Sequence, residues 1–291
     1  IDDNNRLLSS RIYSNVLEPK SYLLMNYDPL EEELNTYIEE NNFTISVYVE
    51  NLRDGASMGI DEDATFFPAS MNKLPLAILT MKQIERNVLQ LDTPLFILDV
   101  DKDPGWGTLY NESVQTLPVS RLLERMLQES DNTAANVLKR NVNIEDDYFI
   151  VEKYYGYYDE NDNDDFGEKN FANPISIYNI YSSLYLSTVL EPKNSEYILQ
   201  LLTNTSFDIK DIAGLPQNIT VAHKFGIWDK DNNYYLHDCG IIYDGELRIF
   251  YCVMTEDLNP TTAVQVIGFI VHNIYTYSVE TRTELDSYTQ Q

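Results

Sequence analysis

Ser70-Met71-Asn72-Lys73 sets a hydroxyl and an amine three residues apart. On a helix, positions i and i+3 share a face with Cβ atoms roughly 5–6 Å apart, so the Lys73 amine reaches the Ser70 hydroxyl. Burial disfavours a charged ammonium, and a neutral amine takes a serine proton. The set opens the most apolar helical stretch of the chain, after Phe66-Phe67-Pro68-Ala69. The positive end of that helix would face a developing oxyanion. Alone the pattern is weak, since about one Ser-x-x-Lys match arises by chance at this chain length and average composition.

Ser130-Asp131-Asn132 is the second set. It reads as an ordinary N-cap for the helix Thr133-Ala134-Ala135-Asn136-Val137-Leu138. The same residues would relay a proton to a leaving nitrogen through Ser130 and offer an amide to a substrate carbonyl through Asn132. Lys224-Phe225-Gly226 is the third set, on a strand read over Val221 to Ile227. By itself Lys224 is an exposed strand lysine. Beside Ser130 it would polarise that hydroxyl and attract a substrate carboxylate, and Gly226 would let a substrate backbone approach the strand edge. Three sets in this order, with long gaps between them, are far rarer by chance than any one.

Other chemistry is weakly signalled. Gly55-Ala56-Ser57-Met58-Gly59 matches a nucleophile elbow in letters. That elbow needs a helix after it, and Ile60-Asp61-Glu62-Asp63-Ala64-Thr65 is not apolar-periodic, so a hairpin is expected. There is no Gly-rich phosphate loop, no His-Glu-x-x-His and no Cys-x-x-Cys. His223, His237 and His272 do not cluster at metal spacing, so no metal is expected.

The elements that must position these groups read as β at both ends and helical in the middle. Thr44 to Val49 is a strand, Arg53-Asp54-Gly55 a turn, and Ser57 to Ile60 its return. Thr220 to Phe225, Tyr234 to Tyr243 and Leu247 to Met254 are three more strands, the last two joined at Asp244-Gly245. Helical periods run through Leu74, Ala77, Ile78, Met81 and Ile84, and through Leu122, Leu123, Met126 and Leu127. Asn173-Pro174 and Asn259-Pro260 open two more helices. Both ends therefore feed one sheet. The class is α+β: an antiparallel sheet flanked by terminal helices, plus an inserted all-helical subdomain. The expected organisation is a single domain over 1–291, with a sheet subdomain of about 1–65 and 216–291 and a helical subdomain of about 66–215. A cleft between them is the expected site.

Composition narrows the partners. The chain has 291 residues, 43% of them hydrophobic, which suffices for a packed core. Its 47 acids against 20 bases leave a formal net charge of −27, which disfavours nucleic acid and anionic membrane surfaces. No apolar run approaches the roughly 20 residues a bilayer span requires. Ile1-Asp2-Asp3 reads as a cut, so a leader or lipid anchor removed ahead of it is expected. Cys239 and Cys252 fall on adjacent strands and the same face. A cross-strand disulfide is compatible with that placement, and two small buried apolar residues is the favoured reading.

The three sets together resemble the Ser-x-x-Lys, Ser-Asp-Asn and Lys-Thr-Gly motifs of class A β-lactamases and penicillin-binding proteins. The resemblance runs from about Ile45 through the last helix. It is closest over Phe67 to Leu76 and over Leu127 to Asn136, and looser over Ala222 to Gly226 and His237 to Ile242. It implies the β-lactamase/transpeptidase-like fold and an acyl-enzyme at Ser70, formed with a β-lactam or a D-Ala-D-Ala peptide of peptidoglycan. It implies Lys73 as base, an oxyanion hole from the Ser70 and Ile227 N–H groups, no cofactor, and an extracytoplasmic place of action.

Three departures qualify what the resemblance implies. Phe225 stands where the family has Thr or Ser, which removes a hydroxyl that would bond a substrate carboxylate. Cys239 stands where many lactamases have an arginine, leaving carboxylate recognition to Lys224. The family's deacylating Glu, with Asn four residues on, has no clear match between Asp159 and Asn173; Glu168 is placed best by order, but its spacing to Asn170 and Asn173 is wrong. A solvated loop acid is the more expected role for Glu168, and slow deacylation follows. A non-catalytic relative that binds or scaffolds at the cell envelope is the alternative.

Overall fold

A computed structural model describes Leu7 and residues 25–142, 171–230 and 233–289. Its principal elements, in chain order, begin with α1 (Asp28–Asn41), β1 (Thr44–Asn51) and β2 (Ser57–Ile60). A 3-10 turn (Ala69–Asn72) then runs straight into α2 (Lys73–Glu85). Next come β3 (Pro94–Phe96), β4 (Thr116–Pro118), α3 (Val119–Gln128), α4 (Asn132–Asn141), α5 (Pro174–Tyr185), α6 (Pro192–Leu201) and α7 (Ile209–Ile212). The chain closes with β5 (Thr220–Lys230), β6 (Asn233–Asp244), β7 (Leu247–Glu256) and α8 (Pro260–Thr289).

One antiparallel sheet takes strands from both ends of the chain in the order β2-β1-β7-β6-β5. The period-two pattern of β7 shows how it is sandwiched. Phe250, Cys252 and Met254 join the core under the helical block, while Ile249, Tyr251 and Val253 join the core under α1 and α8. Every residue from Ile249 to Met254 is fully buried, so this central strand reads as a continuous apolar run. Within the helical block, α3 buries Val119, Leu122, Leu123, Met126 and Leu127 on one face and turns Arg121 outward. Helix α2 is buried nearly all round, from Lys73 to Met81, as befits the central helix of that block.

Ser57 opens β2 opposite Glu50 of β1. It lies in a hairpin arm rather than at a strand-to-helix elbow.

The cysteines depart from the favoured reading. The β6–β7 register sets Cys239 directly opposite Cys252, and the two are bonded with a Cα–Cα separation of 4.0 Å. Side chains of directly paired strand residues project from the same face within bonding reach, which the separate strand assignments did not fix.

Next to that pair, Gly240 lies opposite His223. A Cβ on Gly240 would fall 2.4 Å from the His223 Cβ and 2.6 Å from the Ala222 carbonyl oxygen. Two strands of the central sheet would have to separate to admit it. Gly240→Ala is therefore expected to cost ~1–3 kcal/mol, the usual range for overpacking. A thermal melt would show this as a lowered midpoint, and an unchanged midpoint would contradict the packing argument.

Candidate active site

The segment leading to Ser70 is pinned from two sides. His237 of β6 is fully buried, its Nε2 lies 2.8 Å from the Phe67 carbonyl oxygen, and its Nδ1 accepts the Thr255 N–H at 3.2 Å. Nε2 therefore carries the proton and donates to Phe67. Burial pushes the His237 pKa down to about 4, so the ring stays neutral and keeps this polarity at neutral pH. On the other side, Gly226 of β5 packs beneath the turn. A Cβ there would lie 3.2 Å from the Ala69 Cβ, the Pro68 carbonyl oxygen and the Ser70 nitrogen. The glycine serves the protein's own close approach. Held this way, Ala69 sits at φ 47°, a left-handed conformation that costs an alanine roughly 1–3 kcal/mol.

Strand β5 and the 130–132 corner complete the cluster. Lys73 Nζ lies 3.0 Å from Ser70 Oγ, 3.2 Å from Ser130 Oγ and 2.7 Å from Asn132 Oδ1, and it also donates to the Ser130 carbonyl. Lys224 Nζ donates to Ser130 Oγ at 3.0 Å and to the Phe225 carbonyl at 2.8 Å. Ser130 is thus the shared partner of both amines, and it too adopts a left-handed backbone, φ 58°. Asp131 holds that corner. Its buried carboxylate accepts Ala134 N–H at 2.8 Å as the N-cap of α4, and Thr108 and Leu109 N–H at 2.9 Å each. The Asn132 N–H donates to the Trp106 carbonyl at 2.9 Å, which ties the facing loop to the same corner.

Burial sets the electrostatics. It lowers the Lys73 pKa to about 7, although the Asp131 and Asp103 carboxylates oppose the fall. Lys224 is fully buried and held well below the usual lysine range, first by burial and then by the Lys73 charge, with Asp238 opposing. Two amines on one hydroxyl titrate as a coupled pair, and one proton is readily given up.

The structure thus gathers Ser70, Lys73, Ser130, Asn132 and Lys224 into one hydrogen-bonded cluster, with Gly226 against its turn. Ile227 follows Gly226 on the same strand and is partly exposed, as is Ser70. Phe225 is 2% exposed. Its ring lies under Lys224 Nζ, 4.2 Å from the centroid, and contacts Phe207 and Trp106. Glu168 lies outside the described residues. Sequence reasoning missed His237 and Asp131 as positioning groups. His237 had no signal, because its partner is a backbone carbonyl 170 residues away. Asp131 was read as a cap, and its reach to the 108–109 backbone is tertiary. Among the described residues no group of three or more His, Cys, Asp or Glu side chains could hold a metal ion.

Comparison with known proteins bears on this cluster. The sequence model of the beta-lactamase enzyme family matches residues 29–278. The chain is 23% identical over 256 residues to beta-lactamase VEB-1 of Pseudomonas aeruginosa, covering 81% of this chain and 85% of that protein. Its fold is similar to that of TLA-3 extended-spectrum beta-lactamase, with a TM-score of 0.78 at 19% identity over 87% of this chain and all of that one. A PBP-A mutant solved as an acyl-enzyme complex with penicillin G superposes with a TM-score of 0.74 at 21% identity, over 89% of this chain and 99% of that one.

The burial of Lys73 has a direct readout. In protein carrying 13C-labelled lysine side chains, an NMR titration is expected to show one lysine with a midpoint near 7, absent from Lys73→Met. Titration of every lysine in the ordinary range near 10 would refute the desolvated amine.

Proposed function

The chain belongs to the beta-lactamase enzyme family, and from that premise we propose that it is a serine hydrolase that forms an acyl-enzyme at Ser70. The substrates are β-lactams or peptides of the D-Ala-D-Ala type. The reading rests on one observation: a buried amine, with its pKa lowered to about 7, stands 3.0 Å from the Ser70 hydroxyl. Neutral Lys73 takes the Ser70 proton as Oγ bonds to the carbonyl carbon. The oxyanion is received by the Ser70 and Ile227 N–H groups. As the C–N bond breaks, Ser130 passes its proton to the leaving nitrogen and regains one from the amine pair it bridges. Asn132 presents its amide to the acyl side chain, its Oδ1 being taken by Lys73.

Deacylation is slow in this proposal. Between Asp159 and Asn173 no Glu has an Asn four residues on, and Glu168 does not supply the pair. The protein then acts as a penicillin-binding, D,D-peptidase-like enzyme more than an efficient lactamase. An extracytoplasmic site of action fits the Cys239–Cys252 bond, because disulfides persist in oxidising compartments.

Incubation with a fluorescent penicillin at high concentration, followed by intact-mass measurement, tests this. The expected result is a long-lived single adduct on Ser70, lost in Ser70→Ala. Rapid turnover without an adduct would mean lactamase-type deacylation, and no labelling would favour a binding or scaffold role.

The acylation rate should rise with pH through about 7, because Lys73 accepts a proton only in its neutral form. A rate flat from pH 5 to 9 would exclude Lys73 as the base.

A further inference from the structure

A carboxylate stands beside the amide that the acyl group must pass. In the proposed reaction, on which this inference rests, Asn132 presents Nδ2 to the acyl side chain, because its Oδ1 is taken by Lys73. A Cβ on Gly105 would lie 2.9 Å from Asp103 Oδ1 and 3.2 Å from Asn132 Nδ2, so the two atoms flank one point and are at most about 6 Å apart. Glycine leaves that point without a side chain. Asp103, Asn132 and Ser70 are each partly exposed, and Gly105 and Trp106 are exposed, so a group attached at Ser70 has access to both polar atoms. The Asp103 charge also acts on Lys73, whose loss of a proton it opposes.

The carboxylate is held in place but not used up. The Asp103 N–H donates to Thr133 Oγ1 at 3.0 Å, and Oδ1 accepts the Gly105 N–H at 2.6 Å. Further along the loop, the Asn132 N–H holds the Trp106 carbonyl and Asp131 holds the Thr108 N–H. Asp103 Oδ2 has no hydrogen-bond partner among the described residues. Nearby bases are turned elsewhere. Lys102 Nζ lies 2.8 Å from Asp99 Oδ1, and Arg125, which reaches the loop at Thr108, is paired with Glu112 at 2.7 Å. The turn itself needs no charge, since an asparagine closes it through the same oxygen. An ionised carboxylate beside an amide N–H offers an acceptor for an ammonium and a donor for a carbonyl. Because the loop is already fixed, little freedom is lost on binding.

We propose that Asp103, with the Asn132 amide, forms a cation subsite on the acyl side of the scissile bond and selects acyl donors that carry an ammonium there. Among β-lactams these are penicillins with an amine on the acyl side chain. Among D-Ala-D-Ala peptides they are those in which a diamino acid with a free side-chain amine precedes the reacting residue. The formal net charge of −27 draws such cations toward the protein and repels anions.

Three penicillins of similar reach separate the possibilities: their δ-aminovaleryl, hexanoyl and adipoyl side chains end in an ammonium, a methyl and a carboxylate. Acylation of the full chain by each is followed by intact mass. An ion pair at a half-exposed place contributes modestly. The ammonium probe is therefore expected to acylate Ser70 at least threefold faster than the hexanoyl probe, with the adipoyl probe slowest. In Asp103→Asn, which keeps an oxygen for the Gly105 N–H and removes the charge, the ammonium-to-hexanoyl ratio is expected to fall at least twofold. The ratio cancels any common effect on Lys73. Asp103→Ser, whose hydroxyl can accept the same N–H, replaces that variant should it fail to fold. Glu32→Gln, on α1 at the far face of the sheet, removes an acid from the long-range field and is expected to leave the ratio unchanged. A ratio below three in the unaltered protein, a ratio that survives loss of the Asp103 charge, or an equal fall in Glu32→Gln overturns the inference. A Ser70 adduct with any of the three probes keeps the acylation reading standing whatever the ratios. No adduct with any of them overturns that reading, and this inference with it.

Discussion

Two amines meet on one hydroxyl in the centre of this molecule. Lys73 comes from the helical block, Lys224 from the edge strand of the sheet, and both point at Ser130 Oγ. Burying an ammonium is costly, and burying two side by side is costlier. The arrangement persists because each amine is ringed by oxygen acceptors and because at least one sheds its proton easily. That release is also the property a general base needs. The Asp131 and Asp238 carboxylates oppose full neutralisation from a distance.

The surrounding fold keeps these groups in register. The sheet reaches the Ser70 turn through a neutral histidine and a missing side chain, His237 against the Phe67 carbonyl and Gly226 beneath Ala69. The helical block reaches the same place through Asp131, which caps a helix and binds two amides of a facing loop. Two non-glycine residues, Ala69 and Ser130, take left-handed backbones immediately before Ser70 and at the bridging serine itself. Such strain survives only where many contacts over-determine the backbone. The contacts named here come from both lobes.

The third motif is where the chain goes its own way. Its lysine keeps the bond to Ser130, but its second residue is buried between Lys224 and the Phe207 ring, and the neighbouring strand position is locked in a disulfide. The hydrogen bond from Lys73 Nζ to Ser70 Oγ is kept.

Much of the fold was legible in the chain itself. Short apolar and aromatic runs bounded by turn residues marked β1, β5, β6 and β7, helical periods marked α2 and α3, and Asn-Pro pairs marked the starts of α5 and α8, because local periodicity and caps are written in adjacent residues. Ser70 with Lys73, and Ser130 with Asn132, were visible for the same reason: their spacing is local. The convergence of those pairs with Lys224 was an inference from order, and distance in three dimensions decided it. So was the state of the cysteines, since adjacent strands and a shared face leave the register open, and only the pairing of position 239 with 252 brought the sulfurs together. Phe225 shows the limit most plainly. Its letter announced a lost hydroxyl, but where its ring would lie depended on Trp106 and Phe207, both distant in sequence and both brought in by packing that no local pattern encodes.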